Sequence, residues 1–140
     1  NVLYMINGKP QQGKMFTEKF GAYQCTLSVR EQFMRKTDRE INDAIIDEVL
    51  ITGTANIVPA DLKIIKGVAA EYVRDIFRRL REHGYDENTM TLYVTGGGGC
   101  LVKNFYRFSA DRVKFVEDIC AVAKGYEYLA EAQLKAEGKR

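Results

Sequence analysis

Four consecutive glycines, Gly96–Gly99, follow the apolar run "TLYVT" and lead into "CLVKNF". A strand that feeds into glycines and then a helical turn brings backbone amides up to a phosphate or nucleotide with no Cβ in the way. The competing reading is a turn that needs only positive φ. Two phosphate patterns fail on this run. GxxxxGK[ST] is absent, because Lys103 follows the glycines without a Gly-Lys-Ser/Thr triplet. GxGxxG fails because position 101 is Leu101. Glu117 lies roughly 20 residues on, where a dinucleotide fold keeps its ribose-binding acid, yet too little chain follows for a complete Rossmann half.

Other side chains offer weaker chemistry. Thr95 carries a hydroxyl at the strand end, where threonine also serves as a plain β-former. Cys100 stands where a helix dipole would lower a thiol's pKa, the arrangement of a cysteine hydrolase, but it lacks a base. His83 is the single histidine and sits beside Gly84, the position of an imidazole that caps a helix end. Arg78, Arg79 and Arg81 in "RRLREHG" suit nucleic acid, an acidic neighbour or simply a solvated face. The last account makes direct nucleic-acid binding unneeded. Cys25, Cys100 and Cys120 form no CxxC pair, so with His83 they supply no zinc set. An odd, unclustered count fits a reducing compartment.

The elements that must position these residues follow from periodicity. "NVLYMI", the turn "NGK" and "GKMFTEKF" read as a hairpin that opens mid-strand, which predicts an excised piece of a larger chain. "TLSVREQFMRK" has helical spacing. "TDREINDAIIDEVLITG" predicts a helix capped by Thr37 or Asp38, with Ile41, Ile45 and Val49 on one face and Gly53 ending it. Pro59 opens a long helix whose apolar stripe is Leu62, Ile65, Ala69, Val73, Ile76, Phe77 and Leu80, and Gly84 stops it. Met90–Thr95 reads as a buried strand, "CLVKNFYRF" as a short helix or turn, and "DRVKFVED" as a further strand. A closing helix spans about Glu117 through Ala132, and 133–140 reads as a solvated tail. The order ββ-α-α-α-β-α-β-α is mixed α/β.

At 140 residues and 46% hydrophobic content, the chain has material for one core and one domain. A net charge of +2 neither demands nucleic acid nor excludes it. No run reaches membrane-helix length and the start lacks a signal-peptide layout, so the expected location is cytoplasmic, without membrane contact.

"LYVTGGGGCLVKNF", followed by a strand and the closing helix "EDICAVAKGYEYLAEAQ", resembles the end of an actin-like ATPase, most closely the ParM/StbA family of plasmid-segregation proteins. In that superfamily a strand runs into a glycine-rich adenosine motif, and the last helix often carries "AxGxY"; here it reads "VAKGYEYLA". The hairpin, the Gly-led helix "FGAYQCTLSV" and "REINDAIIDEVL" match the order of such a protein's second half. The resemblance implies a ribonuclease H-like second lobe, 1–140, lacking the Asp-x-Gly-x-x-Thr phosphate motif and the first half. It implies ATP and Mg2+ in the complete protein, filament formation with itself head to tail, and a DNA-binding adaptor protein as partner. Gly96, Gly97, Gly98 and Gly99 would run along the adenosine and α-phosphate, with Thr95 beside them. Gly21 would approach the nucleotide from the opposite side. Asp47 would accept hydrogen bonds from ribose hydroxyls, although Asp47 and Glu48 also suit a solvated helix face. Leu101 and Val102 would flank adenine or belong to the core. The expected alternative function is a non-enzymatic scaffold or subunit-interaction module of the same fold, and a dinucleotide-binding domain using Glu117 ranks third.

Overall fold

A computed structural model describes residues 1–108, 111–116 and 121–138. The chain begins with an antiparallel hairpin, β1 (Met5–Ile6) and β2 (Lys9–Pro10), in register Met5 to Pro10. Asn7 (φ 51°) and Gly8 (φ 75°) both take the left-handed region, the requirement of a two-residue type I′ turn. This turn overrides the expected second strand over 13–20. A two-residue loop pairs the residues that flank it directly, so from that stretch only Phe16 joins the ladder, bridging to Val2.

Helix α1 (Ala22–Thr37) starts at Gly21, and Asp38 closes it in the left-handed region with its N–H on the Met34 carbonyl. The expected cap of the next helix is therefore misplaced. Asn42 caps α2 (Asp43–Thr52), its side chain accepting from Ala44 N–H at 2.8 Å. Thr37 instead donates back to the Phe33 carbonyl, a local bond that completes the preceding helix. Gly53 ends α2 at φ 84° as expected. Pro59 opens α3 (Pro59–Glu82), where its missing N–H costs nothing, and His83 and Gly84 end it.

The core sits among these helices. Cys25, Val29 and Phe33 of α1, Ile46, Val49 and Leu50 of α2, and Ile65, Val68, Ala69, Val73, Phe77 and Leu80 of α3 are buried together. Helical spacing lines each set along one face, and the hydrophobic effect drives the faces together. Leu62 and Ile76 of the expected stripe lie at its partly buried margin.

A βαβ unit closes over this bundle. Strand β3 (Leu92–Thr95), helix α4 (Gly98–Phe105) and strand β4 (Val113–Val116) follow, the strands parallel from Leu92–Val113 to Thr95–Val116. The strand expected to be buried over Met90–Thr95 is shorter and only half covered: Leu92 and Val94 face the core while Tyr93 and Thr95 are exposed, the alternation of a strand with one face packed. Leu101 and Val102 of α4 join the core, which settles their packing role. Asn104 ties the unit to α2 by donating to the Leu50 and Ile51 carbonyls at 3.1 and 2.9 Å. Helix α5 (Ala121–Ala136) ends the described chain, so residues 133–136, expected in a solvated tail, are helical. Good helix formers, Glu131 through Ala136, propagate the turn past Ala132. Glu117 and Cys120 lie outside the described residues. The mixed α/β order is as expected, with two two-stranded sheets among the described residues. No described helix is long and apolar enough to cross a membrane.

Candidate functional site

The glycine run forms the turn between β3 and α4, at the C-terminal end of a parallel strand. There the helix N-terminus presents amides without intrahelical partners, the usual anion-receiving end of a helix. The four glycines do different things. Gly96 has φ 78°, a backbone that an L-residue adopts only with strain, so the turn itself requires glycine there. Its carbonyl accepts from Gly99 N–H at 3.1 Å, tightening the turn. A Cβ on Gly99 would make ordinary van der Waals contact with Phe115 Cδ1 at 3.7 Å and Val94 Cγ1 at 4.0 Å, so packing of α4 on the strands does not require glycine there. Gly97 and Gly98 show neither feature. Gly97 has φ −64°, Gly98 opens the helix, and a Cβ on either would meet nothing within 4 Å. Gly97 is the N-cap, a position that glycine fills better than alanine, whereas at Gly98, the first residue of α4, glycine is less favourable than alanine by up to about 1 kcal/mol and packing does not require it. Gly67 on α3 is open in the same way, and Gly21, the N-cap of α1, is another open glycine at a helix N-terminus.

Thr95 is exposed at the end of β3, beside this turn. Cys100 is the third residue of α4 and partly exposed. The base it would need is committed elsewhere. His83 stacks on Phe16 with ring centroids 3.6 Å apart and an interplanar angle of 12°, and its Nε2 lies 3.8 Å from Glu18. Glu18 in turn holds Arg79, which also pairs with Glu82 at 2.6 Å. Arg78 pairs with Asp75. Of this cluster, Arg79 fastens the segment before α1 to α3, while Arg78 pairs within α3.

Gly21 heads α1, and Asp47 of α2 reaches the same helix one turn on through Thr26. Gly21 is extended (φ −84°, ψ 164°), with open space where a Cβ would be. Its carbonyl accepts from the Tyr72 hydroxyl at 2.9 Å, and burial pushes that phenol up to about 12. Thr26, one turn on and only 4% exposed, directs its hydroxyl to Asp47 Oδ1 at 2.8 Å, with the Ala22 carbonyl at 3.3 Å. Asp47 itself is exposed, so one oxygen is engaged and the carboxylate still faces solvent. No hydrogen bond among the described residues joins this group to Gly96–Gly99.

Sequence reasoning missed Thr26, Tyr72 and Asn104. Thr26 was open to detection, since it shares the buried face with Cys25, Val29 and Phe33 and a buried hydroxyl needs a partner. Tyr72 and Asn104 reach backbone atoms more than fifty positions away, and periodicity carries no such information. Among the described residues no group of three or more His, Cys, Asp or Glu is placed to hold a metal ion. Comparison with family models, curated proteins and solved structures finds no match.

Proposed function

We propose that the chain is the nucleotide-binding second lobe of a ribonuclease H-like, actin-like ATPase of the ParM/StbA kind, a cytoplasmic filament-forming protein of plasmid segregation. The observation that carries the reading is Gly98, which beside the N-cap Gly97 keeps a side chain away from a helix N-terminus although packing does not require glycine there. An adenosine or α-phosphate approaching those amides would use the opening. In this reading Gly96 shapes the turn, Gly97–Gly99 leave its amides open, and Gly21 and Asp47 face the sugar from α1 and α2. ATP supplies binding energy that biases closure of two lobes, and Mg2+ is held by carboxylates of the other lobe. This chain's own part is to receive the adenosine side, and by itself it turns nothing over. Head-to-tail contacts that do not close would build the filament, and a DNA-binding adaptor would couple it to cargo.

A second reading, a non-enzymatic scaffold of the same fold, draws support from Asp47. Its carboxylate is engaged by Thr26, a structural use that needs no ribose.

Thermal unfolding separates the two. A native-state binder raises the midpoint by mass action. Mg-ATP is expected to stabilise the chain only when it is joined to a complementary lobe, and Gly98→Val is expected to remove that shift. A Cβ at position 98 has open space and its backbone takes no positive φ, so the substitution need not disturb the turn. Absence of any shift in the two-lobed protein leaves the scaffold. Steady ATP hydrolysis by the 140-residue chain alone contradicts the assignment to one lobe.

A further inference from the structure

Arg78 and Arg81, read from sequence as one end of a solvated face, belong to a longer line of cations that only helix α3 brings together. Lys63, Lys66, Arg74, Arg78 and Arg81 are all exposed. At about 100° per residue they fall, with Gly67 and Ala70 between them, within an arc of about 120°, turned away from the buried stripe of the same helix. From Lys63 to Arg81 the line runs about 27 Å, at about 1.5 Å per residue. The acids of α3 do not cancel it. Asp61 and Glu82 pair with Arg39 and Arg79, which lie off the line, at 2.7 and 2.6 Å. Asp75 pairs with Arg78 at 3.1 Å, but both side chains are exposed, and such surface pairs give way readily to other ions. Glu71 stands at the margin.

The middle of the line matters as much as its charges. Gly67 lies in the interior of a helix, where glycine is less favourable than alanine by about 1 kcal/mol. Its φ is not positive and a Cβ there would meet nothing within 4 Å, so neither backbone nor packing requires glycine. With Ala70 one turn on, it leaves a low saddle between Lys63 and Lys66 on one side and Arg74, Arg78 and Arg81 on the other. A broad, rigid surface can come down onto the helix there while long cationic side chains reach past it from both sides.

We propose that this face binds the phosphate backbone of duplex DNA, without regard to sequence. A duplex carries about one negative charge per 1.7 Å of its length, so cations spread over about 27 Å meet phosphates along the whole line. Arg74, Arg78 and Arg81 bring planar forks that match phosphate oxygens. What the line lacks selects among polyanions. It has no aromatic side chain on which unpaired bases would stack, which sets single strands aside. It has no hydroxyl or amide side chain to meet 2′-hydroxyls, which sets duplex RNA aside. It has no large apolar residue to enter a membrane interface. The inference goes beyond the nucleotide reading and does not rest on it, since α3 alone forms the line.

The test follows the fluorescence anisotropy of a labelled DNA duplex of about 20 base pairs, titrated with the full chain over a range of salt. The expected result is binding at about 50 mM salt that weakens with a slope of about −4 in log affinity against log salt. Arg74→Gln with Arg81→Gln is expected to reduce that slope by about 2 and the affinity about tenfold or more, with thermal unfolding unchanged. Should that variant lose stability, Lys63→Gln with Lys66→Gln, at the other end of the line, is expected to give the same fall in slope. Gly67→Gln is expected to raise the unfolding midpoint and yet weaken binding about threefold, a combination that a purely structural glycine does not give. No anisotropy change at low salt overturns the proposal, as does a slope that both paired variants leave unchanged. Competition completes the test: duplex RNA or polyglutamate that displaces the DNA at lower charge concentration assigns the face to RNA or to an acidic protein, and overturns the proposal.

Discussion

Around Phe77, 1% exposed, an aromatic ring stacks on Tyr106 and meets Tyr85, and buried residues of three helices close the space. Along Gly97–Gly98, by contrast, an added methyl group would touch nothing. In the first region residue identity is accounted for by packing, because interiors are as dense as organic crystals and each side chain has a complementary neighbour. In the second, packing accounts for nothing, and the choice of residue has to be sought in what approaches from outside. The difference teaches where to look for function: at positions whose residue type the fold neither requires nor rewards.

Substitution at the packed end tests the first half of that contrast and should give the largest effect. Phe77→Ala removes a ring shared by the helical core and the stack with Tyr106, and is expected to cost about 3–5 kcal/mol in urea-unfolding stability. A cost below about 1 kcal/mol would mean that the region collapses readily and is not the tight core described.

Alkaline pH probes the same region through Cys25, which is fully buried in the core. Burial pushes its thiol up from the ordinary 9.0 to about 12. The unfolded chain therefore releases this proton from pH 9 upward while the folded chain keeps it. The associated stability is fully present below pH 9 and is lost as pH rises towards 12, by roughly 1.4 kcal/mol per unit in the limit of a single group. Tyr72, also raised to about 12, adds to the fall above pH 10. Urea unfolding at pH 8 and pH 11 measures the slope, and Cys25→Ala is expected to flatten it. An equal slope in the variant would assign alkaline instability elsewhere.

Asn104→Ala sits between the two regions, since Asn104 belongs to the glycine-led helix but bonds to the end of α2. Loss of both side-chain donors leaves the Leu50 and Ile51 carbonyls without them, for an expected cost of about 1–2 kcal/mol by chemical denaturation. A neutral result would show that α4 is held by Leu101 and Val102 alone.

How far these regions could be read from sequence follows the same contrast. The apolar stripe of α3, the stop at Gly53 and the Pro59 start were legible, because burial periodicity and backbone-restricting residues act locally. The strand before the glycines was legible in place but not in burial, since Tyr93 and Thr95 of β3 face outward. Two local errors arose where two plausible signals competed: Asp38 carries a cap residue's side chain but ends one helix, and Asn42 begins the next. The site was legible only as a glycine run. That Gly96 alone of the run takes positive φ, and that only Gly99 comes within ordinary contact of Phe115 and Val94, depends on how the turn folds over the strands. Thr26 meeting Asp47, twenty-one positions apart, depends likewise on how α1 crosses α2. That the Tyr85 hydroxyl is buried without a hydrogen-bond partner among the described residues could not be seen at all, since an unmet hydrogen bond exists only once the chain has buried it.

The smallest effects are the most discriminating, because they lie within one glycine run and differ in sign. At Gly96, with φ 78°, alanine forces a Cβ into left-handed backbone and is expected to destabilise by about 1 kcal/mol. At Gly98 alanine meets open space in a helix's first turn, limits the unfolded chain's freedom and is expected to stabilise by roughly 0.5–1 kcal/mol. Thermal unfolding of the two variants side by side measures both. Opposite signs would establish that Gly98 is kept at a cost to the fold, which is what an opening reserved for a ligand requires. If Gly98→Ala also destabilises, that glycine answers to the backbone like Gly96, the whole run reduces to a turn, and the argument for a nucleotide at α4 loses its footing.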